Sequence, residues 1–297
     1  MNHVARGDDP SGREALTRAL RGESAGAPIV SVELRPPLAD LDAADGIDAW
    51  IDLNHAIRRF TGDGRFVFLT DDAVGVSEEE TLGHLDANLD PGIDRSRLVP
   101  FLTCKHSLDY CRLYAERAHT MGLAALTVVG GDPRGGAPRC LPHAWQLREK
   151  LRERVPALGL GGWANPFRAV DEQAGFLLDP HLEADFVLTQ VVSHHDAGHL
   201  TELISRIRAE GFTAPILAGV FHYRSANPRT LSRLADFLPV PAEGLTAEFD
   251  AGLPAEEVTA RSVRAALESG ADGVYVSNLR LRDAPRVLGR ILERAGV

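Results

Sequence analysis

From Ile29 onward, short apolar runs alternate with longer segments whose apolar residues recur every three or four positions. The runs are IVSVEL (29–34), RFVFLT (65–70), LVPFLTC (98–104), AALTVVGG (124–131), LGLGGWA (158–164), DFVLTQVV (185–192), APILAGVF (214–221) and GVYVSN (273–278). They read as eight strands. Each is nearly continuous in apolar residues, the pattern of parallel strands covered on both faces. Between the third and fourth runs, Leu108, Cys111, Ala115, Ala118 and Met121 share one helical face. Between the sixth and seventh, Leu200, Leu203, Ile204 and Ile207 do the same, and Gly211 ends that helix. The seventh unit is longer, with helical stretches at 225–238 and 254–269 before the last strand.

Eight strand–helix units with right-handed crossovers close naturally into an α/β (βα)8 barrel, the TIM-barrel architecture. A doubly wound open sheet competes, but it usually carries a Gly-rich turn after its first strand. Here Arg35-Pro36-Pro37 follows instead. The expectation is therefore one barrel domain over residues 28–297, preceded by an N-terminal arm, residues 1–27. Within the arm, Leu16 and Leu20 lie one turn apart on a short helical pattern. Disorder and packing across the barrel bottom both accommodate it.

The length of 297 residues and the 44% hydrophobic content suit such a core. A formal net charge of −10 argues against a nucleic-acid partner while leaving anionic small molecules open. Three cysteines without a CxxC pair suggest a reducing compartment and no disulfide framework. With a polar N-terminus and no apolar stretch of membrane length, the expectation is a cytoplasmic protein with no membrane partner.

Barrel enzymes work at the C-terminal ends of their strands. The polar residues there are Glu33, Thr70, Thr103, Asp132, Asn165, Gln190 and Asn278. Glu33 interrupts an apolar strand, where burial would suit a carboxyl that donates a proton near neutral pH. A structural pairing with an arginine such as Arg35 is the alternative. Gly131 and its neighbour Gly130 would let backbone approach a ligand beside Asp132, although Asp132-Pro133 also reads as a plain turn. Gln190 carries an amide that needs both donor and acceptor partners, as a planar heterocycle would supply. His195 and His199 could face one way on a helix, yet no Glu follows His195, and Ser193 and Asp196 read as N-caps. The expectation is no metal. Lys105-His106 reads as a solvated loop.

In order, Val32-Glu33-Leu34-Arg35-Pro36-Pro37, Leu102-Thr103-Cys104, Gly131-Asp132-Pro133, Asn165-Pro166, Thr189-Gln190 and Ile216-Leu217-Ala218-Gly219-Val220 resemble the motifs of methylenetetrahydrofolate reductases over about residues 29–240. The resemblance implies a barrel that reduces 5,10-methylenetetrahydrofolate to 5-methyltetrahydrofolate, a step of one-carbon metabolism that feeds methionine biosynthesis. It implies bound FAD as cofactor and NADH or NADPH as co-substrate. Catalytic roles would fall to Glu33, as general acid, and to Asp132, beside pterin and flavin. Gln190 would orient the folate. Thr70, Thr103, Gly131, Asp132, Trp163 and Asn165 would line the flavin pocket.

The chain departs from this family at several positions. Leu34 and Arg35 stand where aromatic residues are common, Gly130 where an Arg often precedes Gly-Asp, and Phe101 where a His is frequent. Phe221-His222 replaces a usual Leu-Pro. The segment 171–183 contains no Lys or Arg to meet an FAD diphosphate, for which Arg168 or backbone amides could substitute. Two further readings follow: a flavin-independent reductase with direct hydride transfer from NAD(P)H, and a folate-binding or methyl-transfer barrel without reductase activity. The choice of NADH or NADPH and any homo-oligomeric state are not encoded in recognisable form.

Overall fold

The computed structural model describes residues 10–23, 26–71, 81–131 and 137–297. Eight parallel strands close into one barrel, each paired with its neighbours in chain order and β1 with β8. The strands are β1 (Ile29–Leu34), β2 (Val67–Leu69), β3 (Leu98–Thr103), β4 (Ala125–Val129), β5 (Gly159–Ala164), β6 (Phe186–Val192), β7 (Ile216–Phe221) and β8 (Gly273–Ser277). All eight apolar runs become strands. The helices described before β5 are α1 (Pro10–Leu20), α2 (Ala43–Gly62), α3 (Thr81–Asn88), α4 (Leu108–Thr120) and α5 (Ala144–Arg154). After it come α6 (Val170–Leu177), α7 (Gly198–Ala209), α8 (Pro228–Ala235), α9 (Ala242–Asp250), α10 (Ala255–Glu268) and α11 (Ala284–Ala295).

Strand alternation sorts the side chains into two cores. Val30, Val32, Leu34, Val67, Leu69, Leu126, Val128, Val187, Val274 and Val276 face outward and join the helices. Phe66, Phe68, Val99, Phe101, Phe186, Leu188, Leu217 and Tyr275 fill the barrel interior. Because both faces are buried, neither could be read from period alone.

The barrel bottom is closed by α1, whose Leu16 and Leu20 belong to the interior core and are buried. Space for Leu16 comes from Gly159 at the start of β5, where a Cβ would sit 2.4 Å from Leu16 Cδ2. Two matching clamps hold strand starts. Asp185 accepts from Arg152 (2.7 Å) and from the Leu160 amide (2.8 Å). Asp272 does the same with Arg208 (2.6 Å) and the Ile216 amide (2.8 Å). Each joins the end of one helix to the residue before the next strand but one.

The seventh unit differs from its expected form. It contains three helices, because α9 forms within the stretch 239–253 that reads as a connection between the two expected helices. The β6–α7 junction differs too. Helix α7 begins at Gly198 with Ala197 as its N-cap, so neither Ser193 nor Asp196 caps it. Asp196 instead accepts from the Ser193 amide at 2.7 Å, closing a turn before the helix.

Candidate active site

Among the described residues, Glu33, Thr70, Thr103, Trp163 and Gln190 share the inward parity of their strands near the upper end of the barrel. Glu33 lies two residues beyond Ser31 and four beyond Ile29 on the inward face of β1, half-buried, with Phe68 opposite it in β2. Below it is Tyr275, fully buried. Burial first, and then the nearby Glu33 charge, hold the Tyr275 phenol protonated. The Tyr275 hydroxyl donates to the Thr189 carbonyl and crosses Gly219, where a Cβ would lie 2.5 Å from it. Glu33 therefore stands on a sealed aromatic floor.

Thr70 and Thr103 are buried at the ends of β2 and β3. The Thr103 amide donates to Asp71 at 2.7 Å, while its hydroxyl is buried without a partner among the described residues. Trp163 is half-buried, its ring edge-on to Phe101 at 6.2 Å. Asn165 is spent partly on its own loop: Oδ1 accepts from the Phe167 amide at 3.1 Å.

Gln190 sits at a register shift between β6 and β7, where a bulge re-aims the chain. Its Oε1 accepts from the Val191 amide at 2.9 Å, which fixes the side chain close to the backbone. Asn278 adopts a left-handed conformation (φ 64°) and donates to the His222 carbonyl, a turn contact. Asp132 lies outside the described residues.

The glycine pair after β4 admits two cationic side chains. A Cβ at Gly130 would lie 2.9 Å from Arg139 Cζ, and one at Gly131 would lie 2.7 Å from Lys105 Cγ. Gly131 also has φ 76°, which only glycine adopts without strain. Arg139 donates to the Gly131 carbonyl at 2.7 Å. Its guanidinium thus occupies the space into which a side chain at position 130 would begin.

Three features at this end carry little or no sequence signal. His106, expected in a solvated loop, places Nε2 2.9 Å from Asp71 Oδ2 and its ring against Tyr110. Asp71 reaches His106 because it follows Thr70 just beyond the end of β2, a polar strand-end position like Thr70 itself. The third is a cluster beside the β6–α7 turn. Here His194 Nε2 lies 3.0 Å from Glu248 Oε1, and His195 Nε2 lies 3.2 Å from Oε2. Glu248 belongs to α9, so nothing in the local sequence of the histidines announces it. His199 is not part of the cluster; its ring packs against Phe167.

The electrostatics of that cluster are mixed. Burial, with His195 adjacent, lowers the His194 pKa against the pull of Glu248. Burial raises the Glu248 carboxyl, but His194 and the hydrogen bonds from His194, Arg261 and His195 outweigh it and hold the pKa low. Burial pushes the Cys104 thiol up to about 11 and raises Cys111 further, which keeps these two thiols protonated near neutral pH.

No family model matches the chain, and no curated protein matches it in sequence. Solved structures do match in shape. An uncharacterised protein from Clostridium thermocellum, solved with two copies of 5-methyl-5,6,7,8-tetrahydrofolic acid, is similar at a TM-score of 0.65 and 16% identity, over 94% of this chain and 96% of that one. A mandelate oxidase variant carrying a monooxide FMN adduct is similar at 0.51 and 14% identity, over 89% of this chain and 72% of that one. At these identities the likeness is one of fold, and the fold they share with this chain is the barrel. No helix among the described residues is long and apolar enough to cross a membrane.

Proposed function

We propose that the chain reduces 5,10-methylenetetrahydrofolate to 5-methyltetrahydrofolate with NAD(P)H at the upper mouth of the barrel. The observation that carries this reading is the Glu33 carboxyl. It is half-buried on an inward position above Tyr275, and Thr70, Thr103, Trp163 and Gln190 stand near the same ends of β2, β3, β5 and β6. A carboxyl in that place can give a proton to N10 as the imidazolidine ring opens, leaving an iminium at N5. Hydride then adds to the methylene carbon, and NAD(P)+ departs. Gln190 offers its amide NH2 to the pterin. Lys105 and Arg139 on the rim suit the negative charge of a glutamate tail or a pyridine-nucleotide phosphate. The folate bound by the Clostridium thermocellum protein of like fold adds circumstantial support.

The described residues fit FAD poorly. Thr103, with its unpartnered hydroxyl, and Trp163 could face a flavin ring. However, α6 opens with Asp171 and Glu172, which repel a diphosphate at a helix N-terminus, and α6 carries no basic residue. Arg168 lies beside this turn in a surface groove shared with Asp171, Glu202 and Arg206. The favoured form of the reading is therefore direct hydride transfer from NAD(P)H to the bound folate, by a cytoplasmic enzyme. Asp132 is assigned to the same mouth, beside the pterin.

The deciding experiment combines an absorption spectrum with turnover. The purified protein, alone and with excess FAD, should show no flavin bands, yet oxidise NADH or NADPH when methylenetetrahydrofolate is added. A bound flavin that bleaches with NADH would restore the FAD-dependent reading. Silence toward both nucleotides would leave a folate-binding or methyl-transfer barrel. Glu33→Gln should keep folding and substrate binding while turnover falls about 100-fold or more. Turnover near the parent's would remove Glu33 from the proton step.

A further inference from the structure

The cluster at the β6–α7 turn has the chemistry of a cation site, and it stands independently of the folate reading. One ligand atom each from His194, His195 and Glu248 lie within 4.8 Å of one another. His194 Nε2 lies 3.0 Å from Oε1 and His195 Nε2 lies 3.2 Å from Oε2, so the carboxylate faces both imidazoles. Either oxygen meets one imidazole near the spacing of about 3.3 Å that ligand atoms keep in a zinc tetrahedron with bonds of about 2.0–2.1 Å, and the other imidazole is within reach of a small adjustment.

Each ligand is held from behind. His194 Nδ1 lies 3.0 Å from the Ser262 hydroxyl, which fixes the ring and leaves Nε2 facing the carboxylate. The Ser262 hydroxyl in turn lies 3.4 Å from the Val258 carbonyl. Arg261 donates to Glu248 Oε1 at 2.8 Å, steadying the carboxylate and leaving Oε2 toward His195. The His195 ring lies where a Cβ at Gly244 would be, 2.6 Å from its Nδ1, so α9 needs a glycine there to admit the imidazole. The His195 side chain keeps 26% exposure, against 11% for Glu248, so water can reach the open side.

We propose that His194, His195 and Glu248 bind one divalent ion of the zinc class, with a solvent molecule completing a four-coordinate shell. Two imidazoles, one carboxylate and an open position form a ligand set that Zn2+ accepts. The ion would tie α9, the extra helix of the seventh unit, to the turn that follows Gln190. A hydrogen-bonded His–Glu–Arg network without metal is the competing account, and metal titration separates the two.

The experiment uses the full chain, stripped with a chelator and titrated with Co2+ as a spectroscopic stand-in for Zn2+. One equivalent should produce the visible bands of four-coordinate Co2+, and one equivalent of Zn2+ should abolish them. His195→Ala and Glu248→Gln should remove the bands. Ser262→Ala should weaken binding by the about 10- to 100-fold typical of a lost outer partner. His199→Ala, outside the cluster, should leave binding unchanged. Absence of one-to-one binding in the parent, or equal affinity in the His195 and Glu248 variants, would overturn the proposal. If a variant does not fold, the parent's imidazole resonances decide. Those of His194 and His195 should shift stoichiometrically with Zn2+, and free titration of both would overturn the site.

Discussion

His222 closes β7 with its ring 5% exposed and Nδ1 2.8 Å from the Thr259 hydroxyl on α10. Burial dominates its titration and brings its pKa down to about 4, with Glu256 opposing and Arg224 assisting. The imidazole is therefore neutral in the folded chain at pH 6, where an unfolded chain with the ordinary value of about 6.5 binds the proton. Between these values the unfolded state holds more protons, so stability is full above pH 6.5 and is lost as pH falls toward 4. The pKa gap corresponds to about 3 kcal/mol at most, at about 1.4 kcal/mol per unit. Urea midpoints at pH 7 and pH 4.5 should differ by less in His222→Asn than in the parent. Equal pH dependence in the two proteins would show that other groups carry the acid limb.

The helix α1 raises the same question for a whole segment. Leu16 and Leu20 gave a short helical pattern that suited either a loose arm or a plug. What decides between them lies elsewhere in the chain. Gly159 makes the space for Leu16, and the Phe186, Leu188 and Leu217 side chains make an apolar underside. Leu20, fully buried, should then behave as a core residue: Leu20→Ala is expected to cost about 2–5 kcal/mol, read as a lower urea midpoint. A change within about 0.5 kcal/mol, as for a surface site, would mean that α1 does not close the barrel.

This contrast marks what a pattern can carry. The strands were readable because eight apolar runs bounded by turns leave little choice of period. Glu33, Thr70, Thr103 and Gln190 were readable because each is a polar residue at the C-terminal end of an otherwise apolar run. Helix α9 was not, since it is short and its apolar face is sparse: Leu245 is its one buried residue, with Phe249 and Leu253 only partly covered beside it. Glu248 was missed with it. The Asp71–His106 pair was missed because the two lie 35 residues apart and meet only when β2 and β3 align.

Closure extends these dependencies to the molecule. Ile29, Val30, Ser31 and Val32 of β1 pair with Gly273, Val274, Tyr275 and Val276 of β8, so neither strand is an edge. Helix α11 covers this seam region through buried Val287, Leu288, Ile291 and Leu292. In an open sheet, loss of a terminal helix exposes one edge and can stay local. In a closed barrel it uncovers the outward side chains of the strands beneath, and those strands hold the interior that the mouth is built on. Removal of residues 278–297 should therefore abolish the cooperative urea transition and the near-ultraviolet signal of Trp163 and Tyr275 together, rather than lowering a midpoint. A truncated chain that keeps both, with a single transition, would mean that the seam is secured by strand pairing alone. The Glu33 site would then be separable from the last unit. If both are lost, the mouth and the stability of the chain depend on the same closure, because Glu33 stands on β1 directly above the Tyr275 that β8 delivers.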